Sequence, residues 1–310
     1  MQERAGYNWR GYAFIGPAAV YLAVFSLLPI VLAVYMSLFR WSLLDPQHDF
    51  VAMGNYGKLI RDPFFVGAVK NTLLYVVTSV PLGVITALLV ALMVARPLRG
   101  MGLFRTLFYV PGVCSQVALS MVVMWILMPE VGLLNYGLGL INKAAGTGIP
   151  TSTAFLREPG WAMAALVAMS LWIGLGPRMI IFVAGIQNIS EELYEAASLD
   201  GCVGWRRFTN ITLPMLAPTM LFVSVTTTIA AFQLFTPVYV MTKGGPDRST
   251  DVVLFHIFKE LWWRREIGMA SAMSCVLLVM ILLIAAFQLY VMRRGLHTEE
   301  IGRASCRERV

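Results

Sequence analysis

In this 310-residue chain the stretch whose residue types and spacing point to a function is Ser190-Glu-Glu-Leu-Tyr-Glu-Ala-Ala-Ser-Leu-Asp-Gly201. Ser190 is placed to cap a helix whose first turn carries Glu191 and Glu192, and carboxylates there are favoured by the positive end of the helix dipole. Gly201 is placed to end that helix, because glycine takes the left-handed conformation of a helix stop at little cost. The product is a short polar helix with Glu195 beside the small side chains of Ala196 and Ala197. Small residues let a partner approach closely and a carboxylate gives it a charged anchor, so one reading is a docking knob. The other is a solvated amphipathic linker helix.

Elsewhere the motif evidence points away from catalysis. Cys114, Cys202, Cys275 and Cys306 form no CxxC pair, and His48, His256 and His297 lie far apart. Neither a zinc site nor a disulfide framework is implied. No Gly-x-x-x-x-Gly-Lys-[Ser/Thr] loop is present to cradle ATP phosphates, and no Ser/His/Asp or Cys/His set stands at motif spacing. The expectation is a chain with no catalytic residue, no metal and no cofactor of its own. Its formal net charge of +7 is scattered between apolar runs without interleaved aromatics, which argues against nucleic acid.

The elements that must carry these residues are set by composition. Hydrophobic residues make up 58% of the chain and charged residues 13%, against roughly 45–50% and about 25% in soluble domains. Runs free of Asp, Glu, Lys and Arg cover Gly11 to Phe39, Asn71 to Ala95, Thr106 to Pro129, Pro159 to Pro177, Phe208 to Thr242 and Ile267 to Met292. A bilayer core needs about 20 residues of helix, and backbone in lipid must pair internally. Six membrane helices are therefore expected, over about 11–39, 71–95, 106–129, 159–184, 215–241 and 267–292, with the polar segment 189–214 between the fourth and fifth. The first run is too long for a signal-peptide core and reads as a retained span. Trp9, Trp41, Trp161, Trp262 and Trp263 fall near run ends, where indole rings favour the headgroups. The Gly-broken stretch Val131 to Asn142 reads as an external loop or interfacial turn.

Polar side chains inside such spans usually face protein or a cavity. Ser115, Gln116, Ser120, Ser170, Thr226, Thr227, Thr228, Gln233, Ser271 and Ser274 are the candidates; the hydroxyls can also simply bond their own helix, which leaves Gln116 and Gln233 as the more informative pair. Arg178 is the one basic residue within the apolar stretch from Pro159 to Ser190. It has two readings, a side chain that snorkels to the inner headgroups or one that faces a cavity or partner and meets an anionic group.

Glu195-Ala-Ala followed by Gly201, with Ile211-Thr-Leu-Pro214 closing the segment, resembles the EAA loop of binding-protein-dependent ABC importer permeases. Gly54-Asn-Tyr56, Asp62-Pro63, Asn71-Thr-Leu73, Leu103-Phe-Arg-Thr-Leu107 and Lys243-Gly-Gly-Pro246 extend the resemblance to the carbohydrate-uptake branch, and the last is similar to the maltose-type first permease. The resemblance implies an all-α, six-helix type I importer transmembrane domain over 1–300, whose EAA segment is a cytoplasmic coupling helix. It implies coupling through Glu195, Ala196, Ala197 and Gly201, and a solute pathway at Gly112, Gln116, Ser170, Ile173, Gly174, Thr227, Ala231 and Leu234, to which the polar reading adds Gln233. Implied partners are a second homologous permease, two nucleotide-binding ATPase subunits that hold ATP and Mg, an extracytoplasmic solute-binding protein and the lipid bilayer. The setting would be a bacterial inner membrane, with both termini cytoplasmic. Departures are Ser190 where proline is common, Arg178 where relatives look neutral, and apolar Ala231 and Leu234, which speak against maltose itself.

Charge alone does not orient the chain. Of 24 Lys and Arg, three lie in the last ten residues, ten fall on the side of the amino terminus and eleven on the other. Arg96, Arg99 and Arg105 in one short loop favour an inside amino terminus. A self-sufficient secondary transporter or channel is the rival reading, and it would need intramembrane carboxylates that the six runs lack. The final segment, Ile301 to Val310, reads as a translated sequencing adapter and is set apart from the transport domain.

Overall fold

The computed structural model describes residues 9–45, 48–95, 100–129, 131–145 and 153–307, with side chains described between 14 and 291 of these. Arg4, Arg96 and Arg99 of the charge count, and residues 308–310 of the adapter-like tail, lie outside them. The chain divides into two compact units, 1–63 with 257–278, and 64–256 with 279–310.

In the first unit, α1 (Trp9–Leu22) runs through a π-helical turn, Ala23–Leu27, into α2 (Leu28–Ser37). Two short antiparallel strands, β1 (Phe39–Arg40) and β2 (Asp49–Phe50), precede α3 (Gly54–Arg61). The Gly54-Asn-Tyr56 motif fastens the end of the first span. Buried Asn55 donates from Nδ2 to the carbonyls of Ser37 and Phe39 at 2.8 and 2.9 Å, and the Tyr56 hydroxyl lies 2.7 Å from Ser37 Oγ. The Ser37 carbonyl ends a helix and has no intrahelical donor of its own. Burial pushes the Tyr56 phenol above its ordinary pKa, so it stays protonated and able to donate.

In the second unit, α4 (Pro63–Val94) follows Asp62, whose extended backbone is the conformation a residue before proline prefers. Then come α5 (Met101–Val113), α6 (Gln116–Ile126), α7 (Leu133–Ala145), α8 (Pro159–Gln187), α9 (Glu191–Leu199), α10 (Trp205–Arg207), α11 (Leu213–Met215) and α12 (Ala217–Phe232); Phe208–Thr212 and Val238–Thr242 are π-helical turns. The last helices, α13 (Val253–Trp262) and α14 (Ile267–Arg307), each pass from one unit to the other.

Among the described residues, four helices are long and apolar enough to cross a membrane, Phe14–Ser37, Pro63–Val94, Pro159–Gln187 and Ile267–Val291. Even the 24-residue first one reaches about 36 Å at 1.5 Å per residue. Two further spans are possible as bent pairs, Met101–Val113 with Gln116–Ile126 at 100°, and Trp205–Met215 with Ala217–Phe232 at 65°.

The helix expected over 106–129 is thus broken. Pro111 offers no N–H to the preceding turn, Gly112 is a weak helix former, and Cys114 is extended at φ −74°, ψ 156°. The fifth expected helix, 215–241, also stops early, at Phe232, ahead of Pro237, which has no N–H to offer the carbonyl of Gln233. Val131 to Asn142, expected as a loop, is mostly helix α7. Its Asn135 is buried, with Nδ2 within 3.1 Å of the carbonyls of Met128, Pro129 and Thr153, and those bonds hold the helix despite Gly137 and Gly139.

The other motif residues act as fasteners. Arg105 donates from Nη2 and Nε to the Val94 carbonyl at 2.7 and 3.1 Å, closing the end of α4 with a cation where the dipole favours one. Asn71 donates to the carbonyls of Arg248 and Asp251 at 2.8 and 3.1 Å, and the buried Thr72 hydroxyl accepts from the Val253 N–H at 2.9 Å. The Asn71-Thr-Leu73 and Lys243-Gly-Gly-Pro246 segments, 170 residues apart in sequence, are thereby parts of one assembly. Within the latter, Thr250 Oγ1 donates to the Gly245 carbonyl at 2.6 Å.

Candidate functional site

Helices α4, α6, α8 and α12 surround a cavity of about 180 Å³. Of the nine expected pathway residues, eight line it: Gln116 from the first turn of α6, Ser170, Ile173 and Gly174 from α8, Thr227 and Ala231 from α12, and Gln233 and Leu234 just past its end. The two helix breaks account for this gathering. The bend after Val113 presents the first turn of α6, and the stop at Phe232 turns Gln233 and Leu234 inward instead of along a helix.

Gly112 is not part of the lining. A Cβ there would come 2.8 Å from Pro177 Cδ and 3.2 Å from the Ile173 carbonyl, so this glycine serves close packing of α5 on α8. Gly176 does the same one step away, against the backbone of Phe108 and Tyr109. Sequence reasoning missed Tyr75 and Ser79 of α4, both buried and both in the wall. Their signal was a Tyr and a Ser at i, i+4 on one face of an apolar helix.

Arg178 lies in the same wall. Its guanidinium reaches back along α8, with Nε 2.7 Å from the Gly174 carbonyl and Nη2 at 3.2 and 3.3 Å from those of Ser170 and Leu171. Helical side chains lean toward the amino end of their helix, and this one follows that rule away from the Gln187 end. Gly83 of α4 and Gly174 of α8 make its room, since a Cβ at either would collide with the guanidinium.

The polar segment between α8 and α12 forms α9 and the turns after it. Ser190 stands at the N-cap with extended backbone, but its side chain makes no capping hydrogen bond, so the cap expected of it is positional only. Gly201 is left-handed at φ 72°, and the Cys202 N–H reaches the Ala197 carbonyl at 2.8 Å, closing the helix as glycine stops do. Glu195 and Ala196 are exposed, whereas Ala197 is buried and cannot form part of an outer face. Leu199, Val203 and Trp205 are exposed apolar residues beside them. Tyr194 ties α9 to the following turn, its hydroxyl 3.2 Å from Thr212 Oγ1 and its ring under the Arg207 guanidinium. Glu191, Glu195 and Arg207 line an open groove of about 640 Å³ along this segment.

An all-helical chain with several membrane-crossing helices, a cavity among them lined by polar as well as apolar residues and an exposed helix between two of them belongs to the class of membrane transport components. Residues 64–295 match the family described as binding-protein-dependent transport system inner membrane component, and the chain belongs to that family. It is 34% identical over 295 residues to the lactose transport system permease protein LacF of Rhizobium radiobacter, covering 93% of this chain and 95% of that one. It is 29% identical over 287 residues to the sn-glycerol-3-phosphate transport system permease protein UgpA of Agrobacterium fabrum, covering 92% and 95%. Its fold matches a chain of the crystal structure of a bacterial alginate ABC transporter in complex with alginate pentasaccharide-bound periplasmic protein, with a TM-score of 0.80, 23% identity, and coverage of 93% and 96%. The chain is accordingly a multi-pass inner-membrane permease subunit, a transport component rather than an enzyme, and the reading as a self-sufficient secondary transporter or channel falls away.

Proposed function

We propose that this chain is one of two membrane subunits of an importer for a sugar or a related solute. The solute passes through the cavity walled by Gln116, Ser170, Ile173, Gly174, Thr227, Ala231, Gln233 and Leu234, and ATP is hydrolysed elsewhere. Two nucleotide-binding subunits carrying ATP and Mg dock below, a second homologous permease completes the pathway, and an extracytoplasmic binding protein delivers the solute. The transport domain covers 1–300, and both termini face the cytoplasm. Relatives with lactose and sn-glycerol-3-phosphate in their names support a carbohydrate-sized solute. At about 180 Å³ the cavity is smaller than the roughly 300–1,000 Å³ of ligand pockets, which fits one wall of a site shared between two permeases.

The observation that carries this reading is the convergence of residues from four helices on one cavity, in a chain whose α9 projects exposed Glu195, Ala196 and apolar Leu199. Closure of the ATPase dimer would push on α9, and the helix bundle would rock about the solute site. Gly201 keeps α9 at its angle because a β-branched residue is strained at φ 72°. In the assembled transporter, Glu195→Lys and Gly201→Val are expected to abolish most ATP-driven uptake while the chain still inserts in the membrane. Wild-type uptake rates in both variants would refute the coupling role.

A further inference from the structure

We propose that the cavity binds an anionic group of the transported solute, a carboxylate or a phosphate, through Arg178; the proposal rests on reading the cavity as the solute pathway. A guanidinium carries five N–H donors. Nε and Nη2 of Arg178 are used on the carbonyls of Gly174, Ser170 and Leu171, while Nη1 has no hydrogen-bond acceptor among the described residues. Nη1 lies against Gly83, at the position a Cβ would take. One turn earlier on α4 is Ser79, a residue only 4% exposed that faces the same cavity, with its hydroxyl beside that of Tyr75. Buried polar groups in proteins are almost always satisfied. Here a cationic donor is left without an acceptor on a residue of the cavity wall, which the hydroxyls of Ser79 and Tyr75 also line.

The charge is as exposed to question as the hydrogen bonds. No Asp or Glu lines the cavity, and neither α4 nor α8 contains one along its length. A guanidinium held within membrane-spanning helices without a counter-charge is costly. The bonds to its own helix near Pro177 use only Nε and Nη2 and leave Nη1 without an acceptor. A neutral hydroxyl could fill the donors but would leave the charge unbalanced. An anionic oxygen answers both demands, and the planar fork suits a carboxylate or phosphate in particular.

The test is ATP-driven uptake into liposomes by the chain assembled with its partner subunits, using three probes: sn-glycerol 3-phosphate, an alginate oligosaccharide as the carboxylate source, and lactose as the neutral control. One of the two anionic probes is expected to be taken up in preference to lactose, and which one is taken up identifies phosphate or carboxylate. Arg178→Gln should lower that uptake by roughly tenfold or more, the worth of one charge-assisted hydrogen bond, and Arg178→Lys should also lower it, since lysine keeps the charge but lacks the fork. Uptake of lactose alone by the wild type needs no variant to fold, and it would overturn the anionic assignment while leaving the importer intact. Undiminished anionic uptake by Arg178→Gln would overturn it as well. Failure of all three probes would instead reject the sugar-import reading on which the proposal stands.

Discussion

Two glycines two positions apart on α8 have opposite neighbours, and the contrast separates packing from solute handling. A Cβ at Gly176 meets the backbone of α5, with Tyr109 Cα at 2.5 Å, and a backbone cannot step aside. Gly176→Ala is expected to cost about 1–3 kcal/mol, the usual penalty of overpacking, seen as a lower unfolding temperature of the purified chain. A Cβ at Gly174 first meets the guanidinium of Arg178, the end of a long side chain that can shift where a backbone cannot. Gly174→Ala should therefore melt near wild type yet move the guanidinium and alter uptake. The reverse ranking in melting would contradict this assignment of neighbours. Sequence alone carried part of this. Gln116 and Gln233 stand out as amides in apolar runs, and Arg178 as a lone cation, because an intramembrane polar atom is rare enough to notice. The direction of the Arg178 side chain was not readable, since periodicity fixes a face of a helix but not which carbonyls a long side chain reaches. Gly112, expected in the pathway and found in the α5–α8 contact, meets a related limit: a glycine that permits helix contact and one that lines a cavity look alike in sequence.

At the level of elements, the apolar runs announced the helices, and the polar segment with its terminal glycine announced α9. The breaks in α5–α6 and after α12 were hidden, because hydropathy averages over a window and is insensitive to a change of axis inside it. Proline marks such sites without deciding them: Pro81 lies inside the continuous α4 and Pro177 inside the continuous α8, whereas Pro111 precedes a 100° bend. The tie between α4 and the 243–253 segment was equally hidden, since nothing local in Asn71-Thr72 names a partner so far along the chain. That tie is testable through Thr72, whose hydroxyl accepts the N–H of fully buried Val253. Thr72→Val keeps the shape and removes the acceptor, leaving a buried donor unpaired, at an expected cost of about 1–3 kcal/mol. The loss should appear as a lower unfolding temperature and faster amide exchange around Val253. Unchanged exchange there would mean that the hydrogen bond does not hold the segment.

For the whole molecule the undecided quantity in the sequence was orientation, because basic residues divide ten to eleven between the two sides. Positive-inside counting works when one set of short loops is clearly richer in Lys and Arg, and here it is not. Connectivity supplies what the count lacks. Cys202 and the exposed Leu199 lie on one side of the path through α12, and Arg248, stacked 3.6 Å over the Phe64 ring at the start of α4, lies beyond its far end. If α9 meets the ATPase subunits, Leu199 must face the cytoplasm and Arg248 the outside. In a background with the native cysteines replaced, Leu199→Cys should react with a membrane-impermeant maleimide only after spheroplasts are permeabilised, while Arg248→Cys should react in intact ones. Leu199 is 89% exposed, so absence of labelling in permeabilised cells in the full transporter, but not in the chain expressed alone, would point to cover by a partner at that residue. Labelling of Leu199→Cys from outside would invert the chain in the membrane, and with it would fall the docking of α9 on any ATP-hydrolysing partner.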